Sequence, residues 1–516
     1  GEVVKRIREY KKMVWSNTLS YLTTFNNIHH LDFLAGYEID DTYNDYLSGE
    51  AYNFTTPDKH AISNGMKTVS VGGSDSRYRL VSYLSRLNYD YKNKYYLGAS
   101  FRVDGSSRLH RDNRWGTFWS VSGAWRTIEE EFMQPVKDWL TDLRIRASYG
   151  VNGTLPSDYF GYMGLSSISD GYLEQPGIQM SQIANPNLKW ETNYNMNIGL
   201  DFGFWDRLNF TIEYYTRTTK NLLMDCPVSM TTGFSSYLMN IGEVKNKGIE
   251  LTINSTNIKI KDFSWNTTFN LGHNSNKVVK LDGEQTQIVS GTQIHKVGSS
   301  YRTFYVQEFA GINPETGNPL FYTNELDENG NYIKEITENS KNAQFIPYKH
   351  AEPTVNGGIS NSLRYKWLDL NFLFSYQFGG YSYDTWAQKT EHGGYDSYAN
   401  IPTYYRDSWK KPGDQTNIEV YMPGKSSSVS MHKITSSRRI HSTDYFRLKN
   451  ITFGITLPKE WTNKINIGNV RFYASASNLW TWAAYDNYDP EAVSAGSATQ
   501  TTPPLKTVTF GLNINF

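Results

Sequence analysis

Apolar and polar residues alternate along this chain in recurring segments. In Thr507–Phe516, Val508, Phe510, Leu512, Ile514 and Phe516 share one face, and Thr507, Thr509, Gly511, Asn513 and Asn515 share the other. A period of two is that of a strand with one apolar and one polar side. Tyr83–Tyr91 repeats the scheme, with Tyr83, Ser85, Leu87, Tyr89 and Tyr91 opposite Leu84, Arg86, Asn88 and Asp90. Tyr95–Asp104, Leu143–Asn152, Asn193–Gly203, Phe263–Gly272, Leu368–Phe378 and Asn450–Leu457 do the same. These segments run about ten residues, longer than the ~5–6 of soluble strands and matched to the ~9–11 tilted residues that cross a bilayer. Counting such segments along the whole chain predicts roughly 14–16 strands.

Alternation by itself fits either a transmembrane barrel or a soluble sandwich. Two features favour the barrel. The polar faces carry Asn, Thr, Ser, Gly and Arg in unbroken series, as a wet lumen wall would. Short turn signals (Lys92-Asn93, Trp205-Asp206, Lys261-Asp262, Lys366-Trp367) also intersperse with long connections such as Asn152–Asn187 and Gly379–Thr443, the outer-membrane pattern. The only helical expectation is a short turn at Pro135–Leu140.

Composition narrows this further. Lys+Arg and Asp+Glu both total 51 in 516 residues, so nothing points to a nucleic-acid partner. Mean hydropathy is −0.58, and no apolar run approaches the ~18 residues of a membrane helix; a barrel wall, half polar, has just such a profile. Aromatics make up 15%, with 38 Tyr and 14 Trp, a load that suits interfacial girdles or sugar-stacking loops. The single cysteine, Cys226, excludes an internal disulfide and reads as a packed small residue. The chain opens at Gly1 on a charged run, which leads us to expect a removed signal peptide or a longer parent. It ends on Phe516 within a strand, as a closing barrel strand would.

Segments in order along the chain resemble the SusC-like branch of the TonB-dependent outer-membrane transporters, in the C-terminal part of the barrel. They are LAGYE (34–38), SYLSRLNY (82–89), FRVDGSS (101–107), NRWGTFWSVSGAW (113–125), LRIRASYGVNG (143–153), NPNLKWE (185–191), GLDFGF (199–204), YYTRTTKNLL (214–223), GFSSYLMNIGEVKNKGIEL (233–251), DYFRLKNITFGITLP (444–458), Val470–Trp480, Asp489–Glu491 and the closing strand. The resemblance implies an all-β, antiparallel transmembrane β-barrel of about 22 strands, filled by an N-terminal plug. It also implies a SusD-like surface lipoprotein as lid, TonB acting on the plug, and an oligosaccharide or peptide cargo. The chain departs from that pattern in having no plug, so residues 1–516 are expected to be the C-terminal portion of the barrel. Two bare strand edges cannot persist in lipid, so the remaining strands are expected from another segment or chain. The rival readings are a TonB-dependent siderophore or vitamin receptor and a secreted carbohydrate-binding β-sandwich.

Candidate chemistry is sparse. Asp327–Asn331 (DENGN) lacks the far acidic ligand of a calcium loop and reads as a hairpin turn at Asn329-Gly330; Asn313–Asn318 (NPETGN) reads as another turn. His29 and His30 are adjacent on a strand, so they face opposite ways and cannot share a metal. Gly72-Gly73 and Gly357-Gly358 lack the frame of a phosphate loop and read as turn or wall positions. Glu129–Glu131 reads as a solvated turn. No set suggests catalysis, a cofactor or a metal site, so the chain is not expected to be an enzyme. The expected ligand contacts lie in Gly379–Gly424, at Tyr381, Tyr383, Trp386, Tyr404, Tyr405, Arg406 and Trp409, with Tyr395 beside them. Aromatic faces there would stack on sugar rings while charges bond hydroxyls. Arg86, Arg102, Arg144 and Arg146 are expected to line the lumen or hold the plug.

Overall fold

The computed structural model describes residues 2–515 apart from 55, 57, 59, 173–174, 282–285, 395–399, 424–433, 466 and 499–501. Tyr395, Gly424 and Phe516 therefore lie outside the described residues. Among the described residues, fifteen long strands form the wall. They are β1 (Glu2–Phe25), β2 (His29–Phe54), β3 (Gly65–Tyr91), β4 (Tyr95–Ser106), β5 (Trp115–Trp125), β6 (Leu140–Thr154), β7 (Glu191–Phe204) and β8 (Leu208–Pro227). Then come β9 (Ser236–Lys259), β10 (Phe263–Leu281), β11 (Val355–Tyr365), β12 (Leu368–Phe378), β13 (Tyr445–Thr456), β14 (Asn469–Ala483) and β15 (Thr507–Asn515). Their order in the sheet is their order in the chain, and the printed pairings among them are antiparallel. Each alternating segment read from the sequence falls on one of them, apart from the terminal Leu457 and Phe516, and their number falls inside the expected range. The chain divides into two compact units, Gly1–Glu131 with Arg144–Ile198 and Thr216–Glu243, and Phe132–Leu143 with Gly199–Tyr215 and Val244–Phe516.

In the first unit, the turns at 26–28 and 92–94 are tight. Asn26, Asn27, Lys92 and Asn93 are all left-handed (φ 52°, 57°, 56° and 53°), which is the I′ geometry that matches strand twist. The apolar face of these strands is the open one. Leu97 is 58% exposed and Phe101 50%, while Asp104 and Ser82 on the polar face are buried. A water-soluble sandwich would invert this, because its apolar face is its core. Apolar side chains with nothing packed over them, on strands of this length, face lipid.

Two rows of rings bound that apolar band. Near the turns, His29 meets Tyr91 (centroids 4.9 Å apart), Tyr91 meets Tyr95 (6.2 Å) and Tyr95 meets Trp125 (6.4 Å). Toward the other end, Trp15 meets Tyr37 (6.1 Å), Tyr37 meets Tyr83 (5.1 Å) and Tyr83 meets Trp115 (6.4 Å). Along β5, Trp115 and Trp125 stand about 33 Å apart at ~3.3 Å per residue, close to a 25 Å band once the usual tilt is applied. β1, β2 and β3 continue past the second row as a three-stranded ribbon.

Glu129–Glu131 departs from expectation. It opens a 3-10 turn at residues 127–129 and a second at Glu131–Val136, but Glu130 is not simply solvated. It accepts from Tyr95 Oη (2.5 Å) and Trp125 Nε1 (3.1 Å), so it holds the polar edges of two rings of the turn-side row. Those donors, Tyr95 first, keep its carboxyl below the usual range.

Three of the resemblance segments turn out to be one structural device. Trp190 of NPNLKWE donates to the Arg114 carbonyl (2.9 Å) and packs edge-on against Phe118 (5.2 Å). Asn113 donates to Pro186 O (2.9 Å). Asn185 donates to Leu238 O and Asn240 to Lys189 O (2.8 and 2.9 Å). Leu109, Phe118, Leu188 and Trp190 form a closed apolar core there.

In the second unit, Trp205 and Asp206 (φ 52° and 54°) and Lys366 (φ 51°) make the expected tight turns. Val508 and Phe510 of β15 are 60% and 81% exposed, so the closing segment packs on no dry core. The long connections, in contrast, carry structure of their own. Residues 287–296 and 303–307 pair with Phe345–His350 in one small sheet, and Phe309–Ile312 with Pro319–Tyr322 and residues 336–337 in another. The NPETGN and DENGN stretches are the turns between such strands, as read from the sequence: Gly317 N donates to Asn313 O (2.8 Å) and Gly330 N to Asp327 O (3.0 Å). The 379–443 connection holds a strand at Tyr381–Asp384 and a helix, α1, at Thr385–Thr390, and a four-residue helix follows β13 at Lys459–Thr462. Neither helix was legible from apolar spacing.

Candidate functional site

The connections of the second unit meet the polar face of the wall at Arg447. β13 has a bulge at Lys449, which lets both Arg447 and Lys449 reach the polar side. Arg447 is 2% exposed and its guanidinium clasps Asp489 and Glu491. Lys449 adds a second cation to Glu491 (2.7 Å), and Tyr445 Oη donates to the same carboxylate (3.0 Å). Asp489 also caps the turn Pro490–Ala492 through Glu491 N (2.9 Å). The two stretches that carried the resemblance, DYFRLKN and Asp489–Glu491, are thus the two halves of one ion cluster. Cations at i and i+2 on one strand face, with no acid on that face nearby, are the signal that a partner must come from a loop.

Above this anchor the aromatic connection forms a second layer. Asp384 caps α1 through Ala387 N (2.7 Å) and its other oxygen accepts from Tyr485 Oη (2.9 Å). Tyr485 lies flat on His441, with centroids 3.7 Å apart and planes 2° from parallel. Tyr488 and Ser382 share a hydrogen bond. Arg439, 1% exposed, pairs with Glu391, which Arg438 also approaches (3.6 Å). Burial pulls Arg439 down to about 10, so it keeps its charge at neutral pH. Burial pushes the Tyr488 hydroxyl up to about 12 and the Tyr485 hydroxyl well above its usual range. Burial drives His441 down to about 4, against the pull of Asp384.

The expected ligand contacts land in different places. Tyr383 is 1% exposed and fills a core with Phe304, Val306 and Ile440. Tyr405 is buried as well. Trp409 is half-buried, donating from Nε1 to Pro314 O (2.7 Å) and closing over the left-handed Gly317 (φ 71°). Tyr404 donates to Glu391, and Tyr381 has Lys349 over its ring at 5.3 Å. Trp386 and Arg406 are exposed. Of the expected contacts, then, several build the scaffold, while Trp386 and Arg406 are open to solvent and Tyr381 and Tyr404 are half-buried.

Each unit also has a hollow on its lumen-type face, polar in the second unit and of mixed lining in the first. In the second, a cavity of about 340 Å³ is lined by Arg302, Glu352, Gln377, Thr443, Tyr445 and Glu491. In the first, one of about 810 Å³ is edged by His30, Asp32, Asn88, Gly98, Ser122 and Arg146. Arg86 and Arg102 of the expected arginine row are engaged within the wall, Arg86 with Asp32 (3.2 Å) and Arg102 with Asp104 (2.7 Å); Arg144 and Arg146 edge a smaller recess with Tyr96. His29 and His30 do point opposite ways, to Tyr89 Oη (2.7 Å) and Thr24 Oγ1 (2.9 Å). Cys226 is buried. No group of three metal-ligating side chains occurs among the described residues.

Long antiparallel strands in chain order, an open apolar face between two aromatic rows and a polar face crossed by ion pairs define an outer-membrane β-barrel wall. The chain belongs to the TonB dependent receptor-like, beta-barrel family, which matches residues 6–324. It is 32% identical over 549 aligned positions to TonB-dependent receptor P3 of Formosa agariphila, covering 100% of this chain and 53% of that protein. It is 30% identical over 496 positions to TonB-dependent receptor SusC of Bacteroides thetaiotaomicron, covering 92% of this chain and 47% of that one. Among solved structures it resembles the RagAB peptide transporter, with a TM-score of 0.87 at 27% identity over 99% of this chain and 56% of the other. The chain spans about half the length of the curated relatives it matches.

Proposed function

We propose that this chain is the C-terminal barrel wall of an outer-membrane active importer for oligomeric nutrients, glycans in the first place. In this reading the remaining strands and a plug lie on another segment or chain. TonB pulls the plug, and a SusD-like lipoprotein closes the mouth over captured cargo. The observation that carries it is the likeness to a RagAB importer over nearly the whole chain, together with a wall whose apolar side is open and whose polar side is built. Trp386 and Arg406, with the half-buried Tyr381 and Tyr404, are the proposed cargo contacts. An exposed indole offers a stacking face and a guanidinium offers paired donors, which suits hydroxylated rings. The peptide cargo named for RagAB favours a second reading in which Arg406 takes a peptide carboxylate.

The test is uptake by cells carrying the complete receptor with its surface lipoprotein, offered labelled oligosaccharides, peptides and iron chelates in separate arms. TonB-dependent accumulation of an oligosaccharide is expected. Accumulation of peptides alone would favour the second reading, and of iron chelates alone would overturn both.

A further inference from the structure

The ribbon of β1–β3 past the second aromatic row has an order of charge on its outward face. The register places Trp15, Ile39 and Val81 in one row, then Met13, Asp41 and Arg79, then Lys11, Tyr43 and Arg77, then Glu9, Asp45 and Asp75. Successive same-face rows are about 7 Å apart along a strand. The two rows nearest the rings thus hold three cations and one carboxylate, and the next row holds three acids. Arg77, Arg79 and Lys11 have side chains 53%, 58% and 65% exposed, whereas Asp41 is 12% exposed. Asp41 sits beneath the two guanidiniums, bonded to Arg77 Nε at 2.7 Å and Arg79 Nε at 3.0 Å. It fixes the pair side by side and leaves their outer edges open.

Depth and chemistry agree. The polar zone of a bilayer leaflet is about 5–7 Å thick beyond the hydrocarbon, so the Arg79 row, raised about 5 Å once a ~40° strand tilt is applied, falls at headgroup level, and Lys11 and Arg77 of the next row stand just above it on long stems. This end of the strands is the one opposite the tight turns, hence the outer leaflet side. A planar guanidinium binds phosphate through two parallel donors. We propose that Arg77, Arg79 and Lys11 form a site for the phosphate groups of an outer-leaflet lipid, with Asp41 as the positioning residue that holds both arginines toward it. The site takes a phosphorylated lipid headgroup, and Glu9 of the acid row beyond it pairs with Lys11 at 2.9 Å.

The experiment uses the complete receptor in nanodiscs containing bisphosphorylated lipid A, or its dephosphorylated form, with retained lipid counted by native mass spectrometry after transfer to detergent. Retention of the phosphorylated form over the other is expected. Arg77→Gln with Arg79→Gln should lower it by about fivefold per arginine, the scale of a surface cation against an anionic headgroup. Asp41→Asn keeps the side chain's size but loses the charge that gathers both guanidiniums, so retention should fall, by less than in the arginine double variant. The folded-band shift on unheated gels should be unchanged in all variants. Equal retention of both lipids, no effect of the arginine double variant, or a loss in Asp41→Asn as large as that variant's would each overturn the proposal. Displacement of the lipid by inorganic phosphate would also overturn it, since the site would then be one for the free ion.

Discussion

Tyr376 of β12 crosses its register partner Gly357 on β11 and delivers its hydroxyl to the carbonyl of Asn270 on β10, at 2.9 Å. The reach is possible because Gly357 has no side chain. A Cβ there would stand 2.1 Å from Asn270 O and 2.5 Å from Tyr376 Oη. Tyr376 is 7% exposed, and a buried tyrosine hydroxyl needs a protein acceptor. On the polar face, the ring of Tyr473 likewise lies over its partner Gly511. A glycine inside a strand normally weakens it; here each serves as the slot for a ring.

Gly357→Ala should therefore destabilise the wall by about 1–3 kcal/mol, the usual cost of overpacking. Tyr376→Phe should cost about 1 kcal/mol through the lost hydrogen bond. Unfolding midpoints in detergent check both, and the double variant should cost less than the sum because the clash with the hydroxyl is gone.

Arg447→Leu would leave Asp489 and Glu491 without their principal partner. Removing one side of a buried ion cluster costs about 3–5 kcal/mol. The expected first consequence is release of the 484–506 connection, read as new cleavage there in limited proteolysis while the strands stay protected. Uncleaved loop in the variant would show that Lys449 and Tyr445 suffice.

His441 gives the loop layer a pH response. The imidazole titrates near 6.5 when free and is pushed down to about 4 in its stack. Between those values the unfolded form holds more protons, so stability is full above pH 6.5 and is lost as pH falls toward 4. Hydrogen exchange over 381–390 and 485–488 should speed up across that window. His441→Phe keeps a ring against Tyr485 and should flatten the response.

Trp386→Ala and Arg406→Ala should each weaken cargo binding by about five- to tenfold if they are central contacts, with the unfolding midpoint unchanged. Tyr383→Phe, inside the packed core, should leave affinity alone. Calorimetric titration with the imported oligomer separates the two outcomes.

The wall was legible in the sequence wherever the two faces of a strand see different solvents. β4, β12 and β15 alternate cleanly because one side meets lipid and the other water. β1 does not: from Glu2 to Met13 it runs beyond the rings and both its faces are exposed, so no pattern is imposed. The tight turns were readable because Lys92-Asn93 and Trp205-Asp206 sit between alternating runs. The small sheets of 287–350 were not, since strands of two to six residues carry too few positions to show a period. Nor could burial within the aromatic connection be read off. Tyr383 and Trp386 look alike in a string, and only the partners brought by Phe304 and Ile440 separate scaffold from surface. Arg447 and Glu491 stood out as landmarks without their charge pairing being seen, because the contact spans two distant stretches.

Pairing in chain order has an implication for biogenesis. Each wall strand finds its mate in the stretch just before or just after it, so a growing sheet can be extended one hairpin at a time, with an exposed seam always ready for the next arrival. Interruptions such as 282–354 tax this little, because closing a flexible segment costs only logarithmically more as it lengthens. Elaborate surface structure can thus be inserted between consecutive staves without rewriting how the cask is assembled.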